Sequence, residues 1–230
     1  PHDITLTSIA PRSPMGIEGT EHLSVAQKLY YEPSKSLSLQ AYGSMFFMNS
    51  YDLIQDMTFS QSRDFMAGIK LKYDVKDWFT VNLSLHGDFY DRFKRHERID
   101  ERKNVYKSKI FEPRLTLTSS YFTGHNIIFG VEHTTDELTS DRFVNRRMTT
   151  RSLHETEYFL QDEWTVNSHW MFSSGVRTNF SKAFGFMWMP KIAIKYAPDN
   201  HWALRANYSM GYRAPSIKEL FFNWDHLGRS

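Results

Sequence analysis

Chemistry at a protein surface requires reactive groups that converge, and few in this sequence do. Asp162 and Glu163 form an adjacent carboxylate pair, but successive side chains on a strand point to opposite faces, so the two cannot share acid–base work. The motifs G-x-S-x-G, H-E-x-x-H, G-x-x-x-x-G-K-S/T and G-x-G-x-x-G are absent, which removes the common signatures of serine hydrolases, zinc proteases and nucleotide binders. With no cysteine, disulfide frameworks, zinc–thiolate sites, Fe–S clusters and thiol catalysis are excluded together. His96, His133 and His154, with Asp100 or Asp141, are the loose set from which a hydrolytic site would have to be assembled. The cationic groups are more concentrated. Residues 91–109 hold Arg92, Lys94, Arg95, Arg98, Arg102, Lys103, Lys107 and Lys109 against four acids, and Arg142, Arg146, Arg147 and Arg151 form a second group. Both read as solvated loops that could also attract anionic ligand groups or lipid phosphates. The net charge is only +2, so nothing points to nucleic acid.

The elements that must position these groups are strands. Hydrophobic residues make up 40% and charged residues 23% of the chain, a composition that folds. Aromatic residues reach 16% while the mean hydropathy is −0.53. No apolar run approaches the ~18 residues of a membrane-spanning helix. Instead, Trp202, Leu204, Ala206, Tyr208, Met210 and Tyr212 share one parity, with His201, Arg205, Asn207, Ser209 and Arg213 on the other. A strand built this way has one apolar and one polar face. The same alternation runs through Phe79 to Phe89 and Trp170 to Phe180. Weaker versions occupy Leu37 to Phe47, Ile69 to Val75, Leu115 to Tyr121, Ile127 to His133 and Trp188 to Tyr196.

Phe79 with Phe89, Trp170 with Phe180 and Trp202 with Tyr212 place aromatics ten residues apart on the apolar parity. Ten residues at about 3.3 Å, tilted by about 40°, cover roughly 25 Å, the height of an apolar band between two aromatic girdles. A soluble β-sandwich also alternates, but its strands average only about 5 or 6 residues. Short turns are expected at Glu32 to Ser36, Asp74 to Asp77, Thr123 to Asn126, Asn167 to His169 and Pro198 to Asn200. Longer connections are expected near Asn49 to Met57, Asp91 to Lys109, Thr139 to Thr150 and Ser181 to Phe186. Alternation of short turns and long loops is the habit of outer-membrane barrels. The chain therefore reads as all-β, an antiparallel up-and-down transmembrane barrel with about ten strands visible and Ile4 to Ile9 as the end of an eleventh. One position conflicts: Asp162 falls on the lipid-facing parity of Tyr158, Leu160 and Trp164, through a bulge or an off-bilayer position.

Past this last strand the sequence Tyr212, Arg213, Ala214, Pro215, Ser216 continues into Ile217, Lys218, Glu219, Leu220 and Phe221. It resembles the aromatic-Arg-Ala-Pro-Ser box of TonB-dependent outer-membrane receptors. The run Tyr158 to Trp164 is similar to another recurrent barrel segment of that family, and Asn223 to Gly228 looks most like receptors of the Bacteroidetes. The resemblance implies a 22-stranded barrel around an N-terminal plug, importing a scarce ligand (haem, iron-siderophore or cobalamin) with TonB-transmitted energy. Neither plug nor TonB box is visible, and ten strands are fewer than half such a barrel. Residues 1–230 are thus expected to be a portion of a single barrel domain in the bacterial outer membrane.

The resemblance also carries residue expectations. In haem-uptake members a His follows the box; His226 matches that position, where a neutral imidazole can bind haem iron axially. His226 and Arg213 are the candidate ligand-binding residues, Arg213 being the better candidate for bonding carboxylates of a plug or loop. Pro215, lacking an N–H, should end the strand and send the chain into the lumen or a loop. No tightly bound cofactor is expected, haem being at most a transported ligand. Expected partners are outer-membrane lipid, the TonB complex through a plug, and a possible surface lipoprotein. An enzyme is not expected. The alternative is a self-contained ten-stranded barrel acting as a surface protease or adhesin, and a passive porin shares the strand pattern but not the box.

Overall fold

The computed structural model describes residues 19–51, 58–96, 101–143, 147–199 and 201–222. Ten strands follow one another as β1 (Gly19–Ser34), β2 (Leu37–Tyr51), β3 (Thr58–Lys76), β4 (Phe79–His96), β5 (Glu101–Ser119), β6 (His125–Ser140), β7 (Thr149–Thr165), β8 (Trp170–Ser181), β9 (Gly185–Tyr196) and β10 (Leu204–Ser209). A short helix, α1 (Ile217–Phe221), follows. All ten strands form one antiparallel sheet whose spatial order is the chain order. The expected up-and-down meander is present, as an open sheet: among the described residues β1 and β10 each have a single neighbour. The stretch Ile4 to Ile9 lies outside the described residues.

The two faces separate as the alternation predicts. Phe89, Leu85 and Leu83 are exposed along β4, while Ser84, His86 and Asp88 between them are half-buried on the opposite face. At the short-turn rim the outward aromatics form a belt: Trp164 with Phe172 at 5.9 Å, Trp170 with Tyr196 at 4.3 Å and Tyr196 with Trp202 at 6.0 Å. At the opposite rim, Phe180 meets Phe186 at 4.7 Å and Tyr158 at 6.0 Å. Such amphipathic belts settle at the two interfaces of a bilayer. On the inner face, aromatic rings cover two glycines. A Cβ on Gly68 would collide with the Tyr42 ring, and one on Gly130 with the Phe159 ring. Tyr42 also places its hydroxyl 3.2 Å from Nδ1 of His86.

Two expectations change. Of the connections expected to be long, that at residues 91–109 is mostly paired backbone, since β4 runs on to His96 and β5 begins at Glu101. Likewise Lys182 to Phe184 form a tight turn between β8 and β9. A longer connection does separate β6 from β7, and residues 52–57 lie outside the described residues. Strands of 16 to 19 residues from β3 to β7 exceed the 9–11 or so that cross a membrane, so the ladder continues beyond the apolar band. Beyond it both faces are polar, and alternation fades while pairing persists. The third girdle pair also fails, because β10 ends at Ser209 and Tyr212 lies beyond it. The last ladder contact there is the Met210 N–H bonding the Pro190 carbonyl at 3.0 Å.

For Asp162, of the bulge and the off-bilayer position, the second holds. The β6–β7 register passes through Ile127 opposite Asp162 without a shift, so no bulge is involved. The His125 Nδ1 donates to Asp162 Oδ2 at 2.8 Å, and the His125 ring stacks on Trp164 at 5.3 Å. Asp162 is a rim residue among the girdle aromatics, with an imidazole partner.

The face assignment is testable in the parent protein. Leu83→Arg, on the outward face, should lower barrel stability by about 2–4 kcal/mol, whereas Ser84→Arg one position away should be close to neutral. Denaturant unfolding in lipid vesicles measures both, and equal costs would contradict the assignment.

Candidate functional site

The site grows from the box. After β10, Ser216 takes an extended conformation (φ −71°, ψ 160°) and caps α1. Its Oγ accepts from the Glu219 N–H at 3.3 Å, while Glu219 Oε2 accepts from the Ser216 N–H at 2.8 Å and its hydroxyl at 3.0 Å. This reciprocal capping box satisfies donors that a helix start leaves open. Arg213 donates from Nη2 to the other carboxylate oxygen of Glu219 at 2.7 Å. Hence Arg213, Ser216 and Glu219 form one knot, with Ala214 and Pro215 as the bend between them. Backbone and hydroxyl donation from Ser216, together with the Arg213 guanidinium, holds the Glu219 carboxyl at about 2, well below its ordinary value.

The knot folds α1 back onto the inner wall. Ile217 is 1% exposed and packs with Leu138 at the end of β6, Leu153 of β7 and Phe143 of the turn between them. Phe143 is flanked by Phe222 at 5.2 Å and Phe221 at 6.5 Å. Two cation–π contacts add to the docking: Arg151 over Phe221 at 5.1 Å and Lys218 over Tyr106 at 4.9 Å, each worth about 0.5–1 kcal/mol where exposed. The chain leaves the ladder after Met210, ahead of Pro215, so Pro215 does not end the strand; past it the chain leads inward.

Between α1 and the wall lies a cleft of about 1400 Å³. Its cations are Arg92, Lys94, Lys103, Arg142 and Lys218, its carboxylates Asp64, Asp88 and Asp141. Arg92 and Lys94 point inward with the polar parity of β4. Lys103 joins them because β4 and β5 change register beyond Arg92: Tyr106 faces Arg92, Asn104 faces Phe93, and Val105 is the extra residue. A bulge of this kind re-aims every side chain after it; without it Lys103 would point outward with Lys107 and Lys109. Tyr90 and Tyr106 meet edge to face at 5.5 Å on the floor, with the Tyr90 hydroxyl bonded to Ser62 Oγ at 3.0 Å. Arg92 Nε donates to Ser60 Oγ at 3.0 Å.

Of the residues singled out from sequence, Arg92, Lys94, Lys103 and Arg142 line the cleft, Arg213 and Ser216 bond Glu219 at the start of α1, and Arg151 supports α1. Arg213 bonds within its own segment. His226 and Arg146 lie outside the described residues. His133 and His154 stack at 6.2 Å and bond Thr135 and Thr156, but on the outward parity; among the described residues they gather no acid, and Asp100 and the His96 side chain lie outside these. Sequence reading gives Glu219, Ile217 and Lys218 only as the continuation of the box, with no role assigned. The Ser-x-x-Glu spacing was the available signal for the first, whereas the socket of Ile217 comes from distant strands.

A family profile described as "TonB dependent receptor-like, beta-barrel" matches residues 21–229. The chain belongs to this family. Its members are barrels of the bacterial outer membrane, with short turns toward the periplasm, so the cleft opens on the outer side. The chain is 25% identical over 153 residues to the iron-regulated outer membrane virulence protein of Vibrio cholerae, covering 64% of this chain and 23% of that protein. It superposes on an alanine double mutant of the ferric enterobactin receptor of Pseudomonas aeruginosa with TM-score 0.74 and 13% identity, covering 93% of this chain and 36% of that one. For the siderophore receptor PirA of Acinetobacter baumannii the values are 0.72, 12%, 87% and 34%. At such identities the structures share the fold, and this TonB-dependent receptor barrel chain spans about a quarter to a third of their lengths. The relatives are receptors and outer-membrane proteins by description, not enzymes.

The knot should respond to acid in one direction. Because the folded carboxyl of Glu219 is depressed to about 2 from its ordinary 4.5, its contribution is complete above that ordinary value and fades as pH falls toward 2. Hydrogen exchange of residues 213–222 should therefore be unchanged from pH 7 to 5 after correction for intrinsic rates, and rise below. Glu219→Gln should abolish the acid step, and Ser216→Ala should loosen the helix by about 0.5–2 kcal/mol. An acid step retained in Glu219→Gln would assign it elsewhere.

Proposed function

We propose that the chain is a portion of one barrel domain in a receptor that captures a scarce iron-carrying ligand at the cell surface and passes it to the periplasm. Energy comes from the TonB complex acting through a plug supplied by the parent protein. The observation that carries this reading is the basic, aromatic cleft on the inner wall, bordered by Lys218 of α1 and by Phe222 and open at the outer rim. The descriptions of the relatives, iron-regulated, siderophore and ferric enterobactin, favour an iron ligand over cobalamin. The cleft also counts against a passive porin, which has no use for such a binding surface.

Haem is the second reading, and His226 favours it by its position after the box. The form of Asn223 to Gly228 supports a Bacteroidetes-type receptor, for which a surface lipoprotein at the outer rim is the natural further partner.

Deleting the parent gene should abolish uptake of one labelled iron source, as a ferric siderophore or as haem, and a protonophore should block that uptake in the wild type. Uptake that survives the protonophore would replace the energised receptor with a pore. If haem is the ligand, His226→Ala in the intact receptor should shift the Soret band and weaken affinity; an unchanged spectrum and affinity removes His226 as axial ligand.

A further inference from the structure

The cleft draws its cations from three separate pieces of chain: Lys94 and Lys103 near the tip of the β4–β5 hairpin, Arg142 in the β6–β7 turn, and Lys218 on α1. Lys94 and Lys103 face each other directly across the ladder, and like charges so placed repel unless something negative lies between them. Lys103 is partly offset by Asp141 at 3.7 Å. Lys94 and Arg142 have no carboxylate within ion-pair distance among the described residues. Asp64 and Asp88 lie deeper, toward the short-turn rim, since they pair at Tyr90 and Met66 while Lys94 pairs at Ser60. The charge of the cleft is thus graded, positive at the mouth and negative below.

Half of the remaining lining is aromatic, the rest being Val105, Ile110, Ser108 and Ser140. Tyr90, Tyr106, Phe143 and Phe222 offer ring faces beside the cations, and about 1400 Å³ exceeds the roughly 300–1,000 Å³ of an ordinary small-molecule pocket.

Resting on the receptor reading above, we infer that this cleft selects a bulky anionic ligand bearing planar aromatic groups, whose negative charges serve as counter-ions to Lys94 and Arg142. They add to the partial compensation that Asp141 gives Lys103 and Asp136 gives Lys218. Such a ligand ties the β4–β5 tip, the β6–β7 turn and α1 together, with Lys218 exchanging the face of Tyr106 for the bound anion. Neutral and cationic chelates meet the same five cations with nothing to offer them. The acids below keep the anion at the mouth until the interior of the barrel is rearranged.

The test is equilibrium binding to the detergent-purified parent receptor at two salt concentrations. The probes are an anionic ferric tris-catecholate, the dicarboxylate haemin, a neutral ferric tris-hydroxamate, and inorganic pyrophosphate as an iron-free anion. One or both anionic iron probes should bind, more weakly at high salt, and the hydroxamate should not. Lys94→Gln and Lys218→Gln should each weaken binding about three- to tenfold, while Lys107→Gln, on the outward parity, should change nothing. Hydroxamate bound as tightly as catecholate, or equal loss from Lys107→Gln, overturns anion selection and leaves the iron receptor standing. If no iron probe binds but pyrophosphate does, with loss in Lys94→Gln, the anion site holds and the iron reading falls. If pyrophosphate also fails, the site itself is refuted.

Discussion

Inside a bilayer no water competes for backbone hydrogen bonds, so every N–H and C=O at membrane depth must find a partner within the protein. The ladder is the answer to that constraint, and most of the architecture follows from it. Continuous antiparallel pairing from β1 to β10 leaves side chains no say in whether the backbone bonds, only in which face they occupy. The outward face can then be almost wholly apolar and the inward face almost wholly polar. The same pairing carries the strands past the apolar band on the outer side, where it builds a wall tall enough to hold a cleft.

Function enters where the ladder is disturbed. One extra residue between β4 and β5 turns Lys103 from the outside to the inside. The end of β10 is the second disturbance. There a single carboxylate, Glu219, collects an arginine, a backbone N–H and a hydroxyl and converts a departing strand into a docked helix. Neither feature contributes to spanning the membrane. Both shape the inner surface at the mouth, where cations and aromatic rings gather.

Much of the fold was legible because strand alternation has period two and needs only neighbouring residues to be seen. Phe79 to Phe89 and Trp170 to Phe180 announced both the faces and the span. Legibility stopped where the environment became aqueous on both sides: residues 91–96 and 101–109 stay in the ladder through one bulge, yet their polarity no longer alternates and they read as loop. The long strand expected from Trp202 to Tyr212 failed for a different reason. Its apolar parity continued through Met210 and Tyr212, but Ser216 and Glu219 were already committed to capping α1. The box could be recognised as a pattern, and its Ser-x-x-Glu spacing contained the cap. That Ile217 fills a socket of Leu138, Phe143 and Leu153 could not be read, since nothing local in sequence says which strands will stand opposite.

Because spatial order equals chain order, every pairing joins segments adjacent in sequence, so each hairpin closes only a short loop and the entropic cost of closure stays small. Such a sheet can zip together from any point, one hairpin at a time, with no strand threaded between two already placed. The arrangement is also modular over evolutionary time. A duplicated or deleted hairpin changes the circumference of a barrel while the strands on either side keep their partners, so families built this way can alter girth without inventing a new topology.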